Sequence, residues 1–471
     1  MEVRVPRRLC WGRLRLCLIL STVLACASPV IAKPRRDRMV IVISLDGFPA
    51  YALDDSRLPI PTLRKLAHEG VSATSMQPIN PTVTWPNHTA LVTGVNAAQH
   101  HVLFNGLLVR PPGGAKPTIE PWRDKDQLVH VPTVYDLAHS AGLVTAQVDW
   151  VAIYGAKTIN WQFPELPDPN GKIERELIAA GVVTADELRK FENSSQAWQD
   201  NIWTAAAVDI IKHHRPNLLL FHLLTLDDIQ HAYGPMTPAG FTAMAYLDAK
   251  VSEIMDAVKQ SGNLKRTTFI IVSDHGFRGY KNKIRPNVLL KQKGLLTETG
   301  GTSHAEAWVL PEGGTAGVYV SNPDRRTELI PELKKMFDGA EGIAAIYDQE
   351  RFSELGYPAA GSADQAPDLV LAAAPDYMFS GESEGNYVEH DVIGGTHGYI
   401  NNDPQMQAIF MAYGAGIPTG VRLGHISNLD IAPTIAVLLG LTMNNVSGQP
   451  IPAIIHTCCR STQQHVLPSK P

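Results

Sequence analysis

The chain has 471 residues, 44% hydrophobic and 18% charged, enough for one large core or two smaller ones and too apolar for a disordered or fibrous protein. Its formal charge is −5, and setting aside residues 1–32 removes five of 41 basic and one of 46 acidic residues, which leaves −9. That balance excludes nucleic-acid duplex binding through a general basic face, which depends on Lys and Arg neutralising phosphates, and leaves a small phosphoester or nucleotide as an admissible partner.

The N-terminus reads as an export signal. Arg4, Arg7, Arg8, Arg13 and Arg15 precede the apolar run Leu16 to Ala25, and small residues follow. The run is shorter than the roughly 20 residues a membrane span requires, so no transmembrane span is expected in the mature form. Val30-Ile31-Ala32 sets the mature start near Lys33. Two other readings stand behind a cleaved signal for a periplasmic or secreted protein: lipid attachment at Cys26, and a twin-arginine signal at Arg7-Arg8. Cys10, Cys17 and Cys26 fall in this region and Cys458 and Cys459 in the tail, so the core is expected to stand without disulfides.

Met39 to Leu45 is continuously apolar, the pattern of a strand buried on both faces of a parallel sheet, and Asp46-Gly47 ends it. Pro61 to Glu69 predicts a helix with Leu63, Leu66 and Ala67 on one side and Gly70 as its stop. Leu218 to Phe221 repeats the buried-strand pattern and leads to Asp227, and Thr237-Pro238 opens a long helix toward Gly262. Phe269 to Ser273 runs into Asp274-His275. Residues 277–389 loosen into Gly- and Pro-rich stretches, with a strand near 317–321 and a helix near 328–337, and a last helix opens at Asp430. The expected organisation is a signal over 1–32, a core in two parts (33–276 and 390–457), an inserted α+β subdomain over 277–389, and a tail over 458–471. Strands alternating with helices predict a doubly wound α/β fold whose ligand site gathers at the carboxyl ends of the strands, where the acids lie.

The site segments are Leu45-Asp46-Gly47, Thr82 to His88, Asp227 to His231, Ser273 to Gly276, and Gly395 to Gly398. Any single Asp after a strand is more often a turn or cap residue than a ligand, and a lone His more often a surface residue. Together the segments supply three Asp, three His and a Thr, and mixed carboxylates and imidazoles suit zinc better than calcium or magnesium.

Pro81 to His88 followed by Val92-Thr93-Gly94, with the metal-type segments in order behind it, resembles the nucleophile region of the nucleotide pyrophosphatase/phosphodiesterase family of the alkaline phosphatase superfamily. The resemblance runs from about Met39 to Leu441 and implies an alkaline-phosphatase-like, mostly parallel sheet. It implies two zinc ions, other divalent metals being compatible, and hydrolysis of a phosphoester through a phosphothreonine on Thr84. Asp46, Thr84, Asp274 and His275 would then hold one metal and Asp227, His231 and His397 the other, while Asn105 donates to a phosphoryl oxygen. A metal pair roughly 4 Å apart suits in-line displacement because it clamps the attacking and leaving oxygens. Thr82 is a nearby competitor for the nucleophile's role.

Three departures bear on substrate. His222 stands where nucleotide-hydrolysing members carry a base-stacking Tyr, Trp85 replaces a Phe after the nucleophile, and His101 replaces a Gly after His100. Trp85, Asn105 and His222 are therefore the expected substrate-binding residues, with packing an equal alternative for Trp85. The nucleophile segment has no Arg to clamp a monoester, which favours a diester; Arg278 is the other source of one. Two alternatives remain: a phosphomonoester, phosphonate or sulfate ester hydrolase of the same superfamily, and a non-catalytic metal-dependent binding protein.

Overall fold

The computed structural model describes residues 1–2, 34–299, 302–359 and 361–455. The leader beyond residue 2, Cys26 within it, the start at Lys33, and the tail 458–471 with Cys458 and Cys459 lie outside the described residues.

Eight strands form the central sheet: β1 (Met39–Leu45), β2 (Val71–Gln77), β3 (Thr145–Val148), β4 (Trp161–Phe163), β5 (Leu218–Leu223), β6 (Thr267–Val272), β11 (Phe410–Gly414) and β12 (Val421–Ser427). Their order across the sheet is β12-β2-β11-β6-β1-β5-β3-β4, all parallel except β11, which pairs antiparallel with both neighbours. The apolar run at β1 has the physical reason expected of it. Met39, Ile41, Ile43 and Leu45 enter the hydrophobic cluster on one face, and Val40 and Val42 enter the cluster on the other.

Helices cover both faces. On one side lie α1 (Pro61–Glu69), α3 (Gln196–Asp209) and α5 (Pro238–Gln260), which contribute Leu63, Leu66, Trp203, Leu247 and Val251. Thr237 caps α5 by accepting the Gly240 N–H at 3.2 Å, and Pro238 takes the first helical position, where no N–H is needed. On the other side lie α2 (Thr84–Thr93) and α7 (Ile431–Leu438), with Leu91, Val92, Ile431 and Ile435. A further helix, α4 (Thr225–Tyr233), follows β5 directly.

A second, four-stranded sheet comprises β7 (Ala307–Pro311), β8 (Thr315–Val320), β9 (Ile343–Tyr347) and β10 (Leu369–Ala373), in the antiparallel order β7-β8-β10-β9. Helix α6 (Arg326–Phe337) packs on it through Leu329, Leu333 and Phe337. All of these elements fall within 277–389. Tyr319 and Val370 of this sheet share a separate apolar cluster with Ile79, Ala90 and Phe104 of the larger unit. A short antiparallel ribbon, Arg278–Tyr280 with Gly394–Thr396, ties the two ends of the inserted region together. No helix among the described residues is long and apolar enough to cross a membrane.

Candidate active site

Three central strands end at the same edge, and the loops leaving them build the floor of the site. Asp46 follows β1 and is fully buried. Gly47 next to it lies at φ +67°, and a Cβ there would approach Phe277 at 3.0 Å and Asp227 Oδ1 at 3.2 Å, so the close pass requires glycine. Its N–H donates to Asp274 Oδ1 at 3.1 Å. After β6, the Ser273 hydroxyl donates to Phe48 O at 2.7 Å and holds the turn that presents Asp274 and His275, both fully buried. Asp227 and His231 sit one turn apart on α4 and therefore share a face. His397 leaves the ribbon that ends at Thr396.

Thr84 is the first residue of α2, so its side chain stands at the positive end of the helix. The entry to that helix is fixed by Asn87, whose amide donates to Pro81 O and Val83 O and accepts from Ile79 N and Asn428 Nδ2. Thr84 Oγ1 lies 3.5 Å from His275 Nε2. Thr82, the competing hydroxyl, is fully buried and donates to Tyr399 O at 2.6 Å.

The ligand-competent side chains gather in two groups, Asp46 with Asp274 and His275, and Asp227 with His231 and His397; within each, the donor atoms lie within 4.8 Å of one another. The histidines are preset. Nδ1 of His275 lies 3.0 Å from Gly276 O, Nδ1 of His231 3.2 Å from Gly395 O, and Nδ1 of His397 2.9 Å from Thr82 O. A carbonyl only accepts, so each Nδ1 donates, and in the neutral ring each Nε2 then offers its lone pair. Those Nε2 atoms face carboxylates: His275 to Asp274 Oδ2 at 3.1 Å, His231 to Asp227 Oδ2 at 3.4 Å, and His397 to Asp227 Oδ1 at 3.9 Å. Asp46 Oδ1, Asp227 Oδ1 and Asp274 Oδ2 are buried without a hydrogen-bond donor. Lone pairs facing unpaired carboxylate oxygens describe a place for a cation, so the donor set fits divalent metal at both groups.

The titration behaviour has the same origin. Burial, then the charges of Asp274 and Asp227, push Asp46 well above the usual carboxylate range. Burial, then His275 and His231, hold His397 well below the ordinary imidazole value and keep it neutral at pH 7, the form in which it can coordinate.

Beside Thr84, Asn105 is exposed and its Oδ1 accepts the Trp85 N–H at 3.0 Å, which leaves the amide NH2 to donate outward. Trp85 packs against Val102, Leu128 and Val151, and it also lines a cleft of about 520 Å³. Trp122, Trp150, Tyr154, Glu165 and Lys172 form more of its wall, with Trp122 43% and Tyr154 52% exposed. Packing and lining are thus both true of Trp85.

A family model for type I phosphodiesterase/nucleotide pyrophosphatase matches residues 40–400. The chain belongs to that family. It is accordingly a metal-dependent phosphoric ester hydrolase of the phosphodiesterase/nucleotide pyrophosphatase type. Among its relatives, an uncharacterized pyrophosphatase/phosphodiesterase of Schizosaccharomyces pombe is 24% identical over 85% of this chain and 77% of that one. Mouse ectonucleotide pyrophosphatase/phosphodiesterase family member 7 is 23% identical over 97% of this chain and 94% of its own length. Among solved structures, murine ectonucleotide pyrophosphatase/phosphodiesterase 5 superposes with a TM-score of 0.66 at 18% identity, covering 88% of this chain and 98% of that one, so the fold is alkaline-phosphatase-like.

Against that family pattern one expected placement is corrected. His222 is not on a substrate surface. It is fully buried under the floor of the site, with Nε2 3.0 Å from Asp46 Oδ2 and Nδ1 3.0 Å from Asp149 O, so its ring has no free face for a base. Arg278 is likewise engaged, paired with Asp403 and lying over the Tyr399 ring. Asp149 was not singled out in the sequence, although it carries the same signal as Asp46 and Asp274, an acid directly after a strand. The strand before it, Thr145-Ala146-Gln147-Val148, is short and half polar, which hides it.

Proposed function

We propose that the chain is an exported two-zinc enzyme that hydrolyses a phosphodiester or pyrophosphate of a small molecule or nucleotide through a covalent phosphothreonine at Thr84. The reading rests on one observation: three imidazoles, each with Nδ1 committed to a main-chain carbonyl, turn Nε2 toward buried carboxylates whose free oxygens have no donor. In it Asp46, Thr84, Asp274 and His275 hold one metal, and Asp227, His231 and His397 the other. When bound, divalent metal supplies Lewis acidity that lowers the pKa of a hydroxyl or water and offsets phosphoryl charge.

The chain's own residues do the rest. Thr84 Oγ forms the bond to phosphorus as the bond to the leaving oxygen breaks, and its place at the first turn of α2 sets the helix's positive end against the phosphoryl oxygens. Asn105 donates to a non-bridging oxygen through the NH2 that Trp85 leaves free. Trp85 and the aromatic cleft receive the organic part of the substrate. Water then attacks the phosphothreonine, and the P–O bond to Thr84 breaks to restore the hydroxyl. The pairing of Arg278 with Asp403 supports a diester over a doubly charged monoester. An inactive threonine-to-alanine variant of the murine structural neighbour, in complex with AMP, supports both the nucleophile type and a nucleotide-sized ligand.

The deciding experiment is a panel of aryl diesters, monoesters, pyrophosphates and nucleotides on zinc-loaded protein. Two metals per chain with diester or pyrophosphate turnover is the expected result. A strong monoester preference moves the assignment to the sister activities of the superfamily, and inertness on the whole panel at full metal loading moves it to a binding protein. Export rests on residues 1–32 and on relatives whose names carry the prefix ecto. N-terminal sequencing of protein recovered outside the cytoplasm should begin near Lys33.

A further inference from the structure

The four central strands β6, β1, β5 and β3 are neighbours in that order, and their carboxyl ends place Asp274, Asp46, His222 and Asp149 in a row across the edge of the sheet. Ser44 is level with His222, and Phe221 with both Ile43 and Val148, so Asp149 stands level with His222 on the neighbouring strand while Asp46 and Asp274 lie two residues further along theirs. The row is dry: Asp46, Asp149, His222 and Asp274 are all fully buried. His222 bridges two acids, with Nε2 3.0 Å from Asp46 Oδ2 and Nδ1 3.0 Å from Asp149 O and 3.2 Å from Asp149 Oδ2.

We propose that Asp149 and His222 are positioning residues for the metal that activates Thr84: His222 takes one oxygen of Asp46 by hydrogen bond and so leaves the other to the metal, and Asp149 orients the ring that does this. The proposal rests on the two-metal reading of the site and assigns His222 a task other than the substrate contact expected of it. Three observations carry it. Asp46 uses Oδ2 for His222, while Oδ1, 3.5 Å from His275 Nε2, has no donor and faces the group that includes Asp274. Asp149 adopts φ +56°, a left-handed conformation that a non-glycine residue takes only when its surroundings hold it there, and its N–H is tied to Phe163 O at 2.9 Å. The His222 ring is also fixed in plane, because His88 packs edge-on against it with centroids 4.3 Å apart and Trp150 closes over His88 at 4.8 Å. A hydrogen bond from a locked ring to the oxygen of a ligand carboxylate fixes which oxygen and which lone pair the metal meets.

Among the described residues no hydrogen bond joins Asp227, His231 or His397 to His222 or Asp149, so the effect is selective. In full-length protein, His222→Phe keeps the ring and loses both donors, whereas His222→Gln retains an amide donor at the distance of Nε2. Metal retained against a graded chelator, and the visible spectrum of the cobalt-substituted protein, report each site separately from turnover. The expected result for His222→Phe is one of the two metals held about 10- to 100-fold more weakly, the other unchanged, and kcat reduced at nearly constant KM. His222→Gln should recover most of both, and Asp149→Asn should fall between. Retention of both metals at wild-type affinity by His222→Phe overturns the proposal, as does equal loss in His222→Gln and His222→Phe. A wild-type chain that holds no metal pair fails the underlying reading instead, and that is seen before any variant is made.

Discussion

The two ligand-competent groups lie side by side and are built differently. Asp46, Asp274 and His275 leave the ends of central strands and are fully buried, while Asp227 and His231 ride on a helix, His397 on a loop, and His231 is exposed. Strand ends in the middle of a sheet are held by neighbours on both sides and by a packed core beneath. A helix turn whose His231 faces solvent can yield by fractions of an ångström and admit water. The difference suits a division of labour in which the buried group fixes the nucleophile and the open group serves the leaving oxygen and the incoming water.

Substitutions test that division in descending order of effect. Thr84→Ala should lower turnover by roughly four orders of magnitude while both metals remain bound, measured as kcat beside metal content, because it removes the attacking oxygen and leaves Asp46, Asp274 and His275 to hold that metal. Unchanged turnover would falsify the assignment of the nucleophile. Asp274→Asn should cost about 10³-fold in kcat/KM, near 4 kcal/mol, and His231→Ala only about tenfold, since a solvent-facing position is replaced by water more readily. Equal losses at the two positions erase the contrast between the groups.

Trp122→Ala probes the cleft rather than either group. It should raise KM several-fold for substrates with an aromatic leaving group and leave kcat nearly unchanged, as loss of uniform binding does. The smallest expected effect concerns stability. Burial pushes the Glu174 carboxyl, on the cleft wall, from 4.5 up to about 7. The folded state therefore binds the proton more tightly than the unfolded one, and this contribution to stability is lost as pH rises from about 4.5 to 7 and is flat beyond. Glu174→Gln should remove that slope and raise Tm at pH 8 by about 1–2 °C. A slope that persists in the variant places the titration in another buried acid, Glu165, Asp200 and Glu312 being raised by burial as well.

Much of this was legible in the chain because local patterns carried it. Continuous apolar runs at 39–45, 218–221 and 269–273 reported strands buried on both faces, and these became β1, β5 and β6. The caps at Pro61 and Thr237-Pro238 reported α1 and α5. The strands at one end of the sheet were not legible in the same way. Val71–Gln77 and Val421–Ser427 are rich in polar residues, carry no continuous apolar run and pair with each other, and the one antiparallel strand of the central sheet among the described residues, Phe410–Gly414, differs from its parallel neighbours in nothing a sequence displays.

The same boundary runs through the site. Sequence by itself determined the chemical inventory, an ordered set of acids, histidines and a threonine placed just after strands or at a helix start, because residue type and strand-end position are local properties. Tertiary structure alone decided which atoms meet. It turned three Nδ1 atoms toward carbonyls, consumed the Thr82 hydroxyl on Tyr399, and placed His222 on the buried floor beside Asp46 instead of a substrate surface. Those outcomes depend on the order of strands across the sheet, which brings residues 46, 149, 222 and 274 together. Spacing along the chain holds no record of that order.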